Sequence, residues 1–139
     1  MAIELTEEMA ENVNAALASG FPCIMTASDP DGWPSIGYRG STMVFDADRL
    51  AYWERSKRDG LANVSKNPKI AVMFMNRDAR IGWKFYGRAT VIESGDLREQ
   101  VWDRVVEFEQ GRDPEKKGVA VIVEVDKVET YGGQLLMER

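Results

Sequence analysis

Polar and apolar residues along the chain follow two rhythms, and the switch between them marks out the elements. In LTEEMAENVNAALASG, residues 5–20, Met9, Val13, Ala16 and Leu17 recur at intervals close to the helical repeat, so they share one face. Thr6 stands where a side-chain oxygen caps a helix, Glu7 and Glu8 suit the positive end of its dipole, and Gly20 suits its end. This predicts a helix packed on the core.

From Phe21 onward the rhythm becomes two. FPCIMTAS predicts a buried strand, and DPDG a turn. WPSIGYRG and STMVFD predict either one long strand or two joined at a kink, and RLAYWER a further strand after the DAD turn. RDGLANVSKNP predicts a short helix stopped at Asn67-Pro68. The apolar run KIAVMFMN predicts a strand buried on both faces. WKFYGRATVIE alternates again, with Trp83, Phe85 and Gly87 opposite Lys84, Tyr86 and Arg88. SGDLREQVWDRVVEFEQG predicts one helix, capped by Ser94 or Asp96, with Leu97, Val101, Val105 and Phe108 along its seam. RDPEKKG predicts a polar loop, VAVIVEVDKVETY a last long strand, and GGQLLMER a short tail. The expected fold is mainly β (α+β): a small closed or split barrel of about six antiparallel strands, two main helices at its rim, one domain over residues 1–139.

Composition narrows the chemistry. The chain has no histidine, which removes the Ser-His-Asp and Cys-His routes to nucleophilic catalysis and the usual zinc and haem-histidine sites. Its one cysteine, Cys23, lies in an apolar run and is expected to be an inert core thiol. With no catalytic residue evident, a cofactor is expected to carry the hard step. A net charge of -5, from 23 acidic and 18 basic residues, argues against nucleic acid as the main partner. No apolar run is long enough to cross a bilayer and the N-terminus is acidic and polar, so the expected compartment is the cytoplasm.

Against that acidic background, one basic cluster stands out. In ERSKRDG, a strand ends, Arg55, Ser56, Lys57 and Arg58 arrive together, and a helix begins within a few residues. Cations, a hydroxyl donor and free backbone N–H groups at a helix start are what a phosphate needs, although a solvated basic turn has the same composition. Arg39-Gly40-Ser41 interrupts an alternating strand pattern. Gly40 would let a flat ligand approach the backbone, Arg39 would reach a phosphate or a polar ring edge, and Ser41 would donate; a β-bulge with an exposed arginine is the plainer alternative. Trp33, Trp53 and Trp83, with Tyr38, Tyr52, Phe85 and Tyr86, would stack on a planar cofactor or simply pack the core. Asp29/Asp31 and Asp46/Asp48 fall in turns, where they serve turn geometry. No G-x-G-x-x-G or G-x-x-x-x-G-K-[ST] is present, so a classical dinucleotide fold or P-loop is not expected.

In this order, DGWPSIGYRGS, LAYWERSKRDG and LANVSKNPKIAV resemble the flavin-binding split β-barrel family that includes pyridoxamine 5′-phosphate oxidase. The resemblance implies a homodimer with FMN at the subunit interface and a small organic substrate that gives or takes hydride. It places Arg39, Gly40, Ser41 and Thr42 beside the flavin ring and ribityl chain. It places Trp53, Arg55, Ser56, Lys57 and Arg58 around the phosphate with Asn63 nearby, and makes the strand around Trp83 a wall of the partner's ring pocket. Members with the vitamin-phosphate activity carry a C-terminal Trp, Arg and His group. This chain closes with ETYGGQLLMER, so vitamin B6 oxidation is not the expected reaction. Alternatives stay open on the same barrel: a flavin-binding electron carrier without catalysis of its own, a reductase that uses the deazaflavin F420, haem held by Tyr, Met or Cys, or an interaction protein with an empty pocket.

Overall fold

The computed structural model describes residues 2–56 and 58–139. Helix α1 spans Glu7–Asn14, with the Thr6 side chain accepting from the Met9 N–H, and buries Met9 and Val13. Strands β1 (Cys23–Ser28), β2 (Pro34–Arg39), β3 (Met43–Val44) and β4 (Arg49–Glu54) follow, then α2 (Asp59–Lys66). Next come β5 (Lys69–Asn76), β6 (Ile81–Ile92), α3 (Asp96–Arg104), α4 (Glu107–Gln110), β7 (Val119–Thr130) and β8 (Leu135–Glu138). The strands form one antiparallel sheet in the order β2-β1-β5-β6-β7-β4-β3, with β8 paired to β7. The sheet curls strongly into a half-barrel, a split-barrel fold.

Two apolar clusters hold it. The larger fills the inside of the curl and includes Met25, Leu50, Tyr52, Phe74, Phe85 and Val123, with Met9 and Val13 of α1. The smaller lies between the outer face of β4 and β7 and helix α3, and includes Ala51, Trp53, Val101, Val105 and Ile122. Strand β4 is therefore covered on both sides, and period-two alternation divides it: Leu50 and Tyr52 face the barrel interior, Ala51 and Trp53 face α3.

Five expectations change. Helix α1 ends at Asn14 with Ala15 as its C-cap, so Gly20 does not end it. The predicted single helix after Ser94 is broken, because Val105 and Val106 are extended and start α4 in a new direction. Two adjacent β-branched residues favour that backbone, and the break buries Val105 while turning Phe108 outward to 66% exposure, off the predicted seam. Neither Ser94 nor Asp96 caps α3; its N-cap is Gly95 at φ 94°. KIAVMFMN buries only its Ile70, Val72, Phe74 face, the other face being half-buried. The tail is a strand: Gly132-Gly133 close a hairpin in which Thr130 donates from its N–H to the Gln134 carbonyl, and β8 and the two-residue β3 raise the strand count among the described residues to eight. Among the described residues no helix is long and apolar enough to cross a membrane.

At the β6–β7 bulge, a Cβ on Gly87 would run into the Glu124 carbonyl of the paired strand. Gly87→Ala is expected to cost about 2 kcal/mol, since backbone on both sides must move. A thermal melt followed by circular dichroism should fall by about 6 °C; an unchanged midpoint would show that the bulge yields freely.

Candidate functional site

The curled sheet brings its two ends together at one place. Arg39 ends β2 at one edge, Glu54 ends β4 near the other, and the Arg39 Nε donates to Glu54 Oε2 at 2.9 Å across the split. Both side chains are largely withdrawn from water, at 18% and 6% exposure. Burial pushes the Glu54 carboxyl above its ordinary value, and Arg39 and the Ser56 N–H offset part of that rise. Glu54 thus ties Arg39 to the start of the loop that carries the basic run.

The guanidinium is steered further. Its Nη1 donates to the Tyr38 carbonyl at 2.8 Å, and a Cβ at Gly60 would come within 2.6 Å of Nη2. Glycine at position 60, in the first turn of α2, is what admits the cation there. The N–H groups of Leu61 and Ala62 bond the Arg58 carbonyl, whereas those of Asp59 and Gly60 precede any intrahelical partner. A cation, the Arg58 N-cap and a positive helix end therefore converge.

Arg39-Gly40-Ser41 has a structural explanation as well. The Ser41 hydroxyl accepts from the Trp53 N–H at 2.8 Å and donates to the Trp53 carbonyl at 3.1 Å. A side chain thereby supplies β4 with the two bonds that a neighbouring strand would have made, and the chain is free to kink between β2 and β3. Thr42 closes the kink, donating from its N–H and hydroxyl to the Arg39 carbonyl at 3.1 and 2.7 Å. The side of Gly40 that a Cβ would occupy faces Glu109 of α4 and Leu17.

These pieces border a cavity of about 360 Å³ at the open end of the half-barrel. Of the candidate site residues singled out by sequence, Tyr38, Arg39, Gly40, Ser41, Trp53, Arg55 and Ser56 line it. Arg58 stands at the α2 N-cap, and Thr42 is buried behind the kink. The Asn63 side-chain amide donates to Ser35 Oγ at 3.2 Å, toward β2. Lys57 lies outside the described residues. Trp53 turns its indole away, stacking obliquely on Trp102 at 4.7 Å and donating to Asp113. Trp83 does not line the cavity; it packs in the barrel core against Phe74 and Phe85. The basic run also splits, because Arg55 points to Glu109 on the α4 side, at 3.9 Å, rather than toward α2.

Sequence reasoning missed Glu54, Glu109 and Arg112. Glu54 carried a signal, since alternation with Tyr52 puts it on the inward face of β4, where a carboxylate needs a partner. Glu109 and Arg112 carried none, because only the break at Val105 turns that segment over the cavity. Cys23 is buried, and burial pushes its thiol up to about 12, which keeps it protonated at neutral pH.

A family model described as pyridoxamine 5′-phosphate oxidase matches residues 6–131. The chain belongs to the pyridoxamine 5′-phosphate oxidase family. Among solved structures it is similar to HupZ from Group A Streptococcus, at 24% identity over 95% of this chain and 98% of that one, with a TM-score of 0.76. It is also similar to an FMN-binding protein from Syntrophomonas wolfei, at 15% identity over 94% and 89% of the two chains, with a TM-score of 0.71. An F420 reductase aligns at 18% identity over 78% of this chain and 89% of its own, with a TM-score of 0.60. A comparison with curated proteins gives no match. An FMN-binding protein and an F420 reductase thus share the architecture described here.

Proposed function

We propose that this member of the pyridoxamine 5′-phosphate oxidase family is an FMN-dependent oxidoreductase that moves hydride to or from a small organic molecule. The observation that carries the reading is Arg39, gripped by Glu54 and seated against Gly60 at the first turn of α2. That arrangement fits a dianionic phosphate: it offers a fixed guanidinium, N-terminal N–H groups and the Arg58 side chain. Ser56 and Lys57, from the same run, belong to this phosphate site in the proposal.

FMN, when bound, supplies a ring that accepts and returns hydride. The chain's own residues anchor and enclose it. Arg39 holds the phosphate end, Glu54 keeps Arg39 from swinging out, and Leu17 gives the cavity an apolar wall. The active unit in this reading is a homodimer with the cofactor at the subunit interface. Strand β2 supports it: an edge strand with Ile36 and Tyr38 at 75 and 68% exposure, preceded by Trp33 at 75%, leaves apolar side chains that ask for cover. On β6, Trp83 and Phe85 turn inward, so Lys84 and Tyr86 are the residues of that strand that would meet a partner's ring.

The first test is the absorbance spectrum of freshly purified protein. Two visible maxima indicate FMN, and a single one indicates F420, which the similarity to an F420 reductase keeps as the second reading. FMN at a hundredfold excess over its dissociation constant should add about 2.7 kcal/mol to stability. A colourless protein with no thermal shift would sink the proposal. Turnover with NADH or NADPH and a panel of acceptors separates an enzyme from a flavin carrier. Arg58→Ala should weaken FMN about tenfold and leave riboflavin untouched, as loss of one charge-assisted contact to phosphate requires. Equal losses for both ligands would move the phosphate elsewhere.

A further inference from the structure

The cavity holds a second cationic feature that a phosphate at α2 does not use. Glu109 of α4 lies between Arg55 and Arg112, with Nε of Arg55 3.9 Å from one oxygen and Nη1 of Arg112 4.0 Å from the other. The carboxylate is largely buried, at 13% exposure, while the two arginines are 38 and 49% exposed. Both separations exceed hydrogen-bond length, and among the described residues the Glu109 carboxylate accepts no side-chain or backbone hydrogen bond. Two ion pairs at that length, both to half-exposed arginines, hold the carboxylate only weakly. Two arginines facing one such carboxylate leave a surplus positive charge at the cavity mouth. The same mouth is bordered by Leu17 and Phe108, which continue into an apolar hollow with Ala18 and Val106.

We propose that Arg55 and Arg112 form a clamp for the carboxylate of a small organic acid, and that Glu109 is its internal stand-in. The acid's carboxylate displaces Glu109 and gains the planar, two-oxygen hydrogen bonding that Glu109 lacks; its apolar body rests on Leu17 and Phe108. Gly40 is the clearance that lets a carboxylate occupy this place, since a Cβ there would meet it. The extended residues at Val105 and Val106 give α4 a joint on which Glu109 can move aside. The inference deepens the flavin reading, by naming the class of organic molecule that would sit beside the cofactor, and rests on it for that role alone.

Benzoate is the probe and benzamide its neutral twin, added to the full chain with and without FMN. Benzoate should perturb the Nε–Hε NMR signals of Arg55 and Arg112, and benzamide should not. Glu109→Gln should bind benzoate about tenfold more tightly, and Arg112→Gln about tenfold more weakly, with circular dichroism reporting the fold of each. FMN and benzoate should bind together. The proposal is overturned if benzoate leaves both arginine signals in place, if benzamide binds equally well, or if Glu109→Gln binds no tighter than the parent. Mutual exclusion of FMN and benzoate also overturns it, by assigning Arg55 to the phosphate. FMN binding with no benzoate response sinks the clamp alone, and benzoate binding with no FMN response sinks the flavin reading alone.

Discussion

Replacing Arg39 with alanine is expected to lower the melting temperature by about 10 °C and to remove most of the affinity for FMN. The stability loss comes from the partner left behind. Glu54, at 6% side-chain exposure, would keep only the Ser56 N–H and the weaker attraction of Arg55, and be forced to hold a charge without the cation bonded to it. Breaking such a pair from one side costs about 3 kcal/mol, which for a chain of this size is roughly that shift in midpoint. The pH dependence has a definite sign. Burial already raises the Glu54 carboxyl above its ordinary 4.5 in the folded protein. A raised carboxyl costs nothing while it is protonated in both the folded and unfolded states. The cost grows as pH rises from 4.5 through the folded value, and is complete above it. Removing Arg39 raises the folded value further, so the variant's deficit should shrink as the pH is lowered toward 4.5. Changing both residues, as Arg39→Met with Glu54→Leu, should recover most of the stability and none of the FMN affinity, because two apolar groups satisfy each other while a phosphate still lacks its cation. Thermal melts from pH 4 to 8 with FMN titrations of all three proteins decide it. A single variant as stable as its parent would show that Glu54 never depended on Arg39.

The second large effect lies behind the site. Asp113, 8% exposed, accepts from Trp53 Nε1 at 2.8 Å, from the Gly118 N–H at 2.8 Å and from the Lys117 N–H at 3.0 Å. Arg98 covers the same indole, 4.8 Å from its centre, and donates to the Lys116 and Gly118 carbonyls. One carboxylate therefore fixes the loop between α4 and β7 onto the back of β4. Asp113→Ala would strand three donors, one of them a buried indole N–H, at a cost of about 3 kcal/mol and a fall of about 10 °C. Burial works to raise the Asp113 carboxyl, and the Trp53, Lys117 and Gly118 donors with Arg98 outweigh it, so its value lies below the usual 3.8. The stability it contributes is present above pH 3.8 and is lost as pH falls through the lower folded value. The parent and variant melts should therefore converge in strong acid and separate above it. Because Ser41 grips the Trp53 backbone, the variant should also loosen the Gly40 kink, read as a red shift of tryptophan emission. A variant with the parent's melt and spectrum would show that Trp53 packs without its hydrogen bond.

Most elements were legible because their signals are local. Thr6 before two glutamates announces α1, Asn67-Pro68 stops α2, and the alternation of Trp83, Phe85 and Gly87 against Lys84, Tyr86 and Arg88 is the two-sided surface of β6. The errors share a cause. Val105-Val106 reads as a continuing helix face because Val105 keeps the helical spacing of Leu97 and Val101, and β8 is a poor strand until β7 offers it a ladder. The basic run at 55–58 was visible as charge, but charge in sequence has no direction. The fold sends Arg55 toward α4 and brings Arg39 from a different strand to α2.

The amino-acid sequence by itself determined that this chain forms an antiparallel β fold with helices at its rim, that histidine chemistry is absent from its means, and that positive charge gathers where a helix starts. Each of these depends on neighbours along the chain or on what residues are present at all. Tertiary structure alone decided that Glu54 holds Arg39, that Glu109 fills the space beside Gly40, and that the Trp53 indole N–H is taken by Asp113. Those contacts join residues far apart in the chain, and they follow from how far the sheet curls, a sum of small twists along every strand that no short stretch of sequence contains.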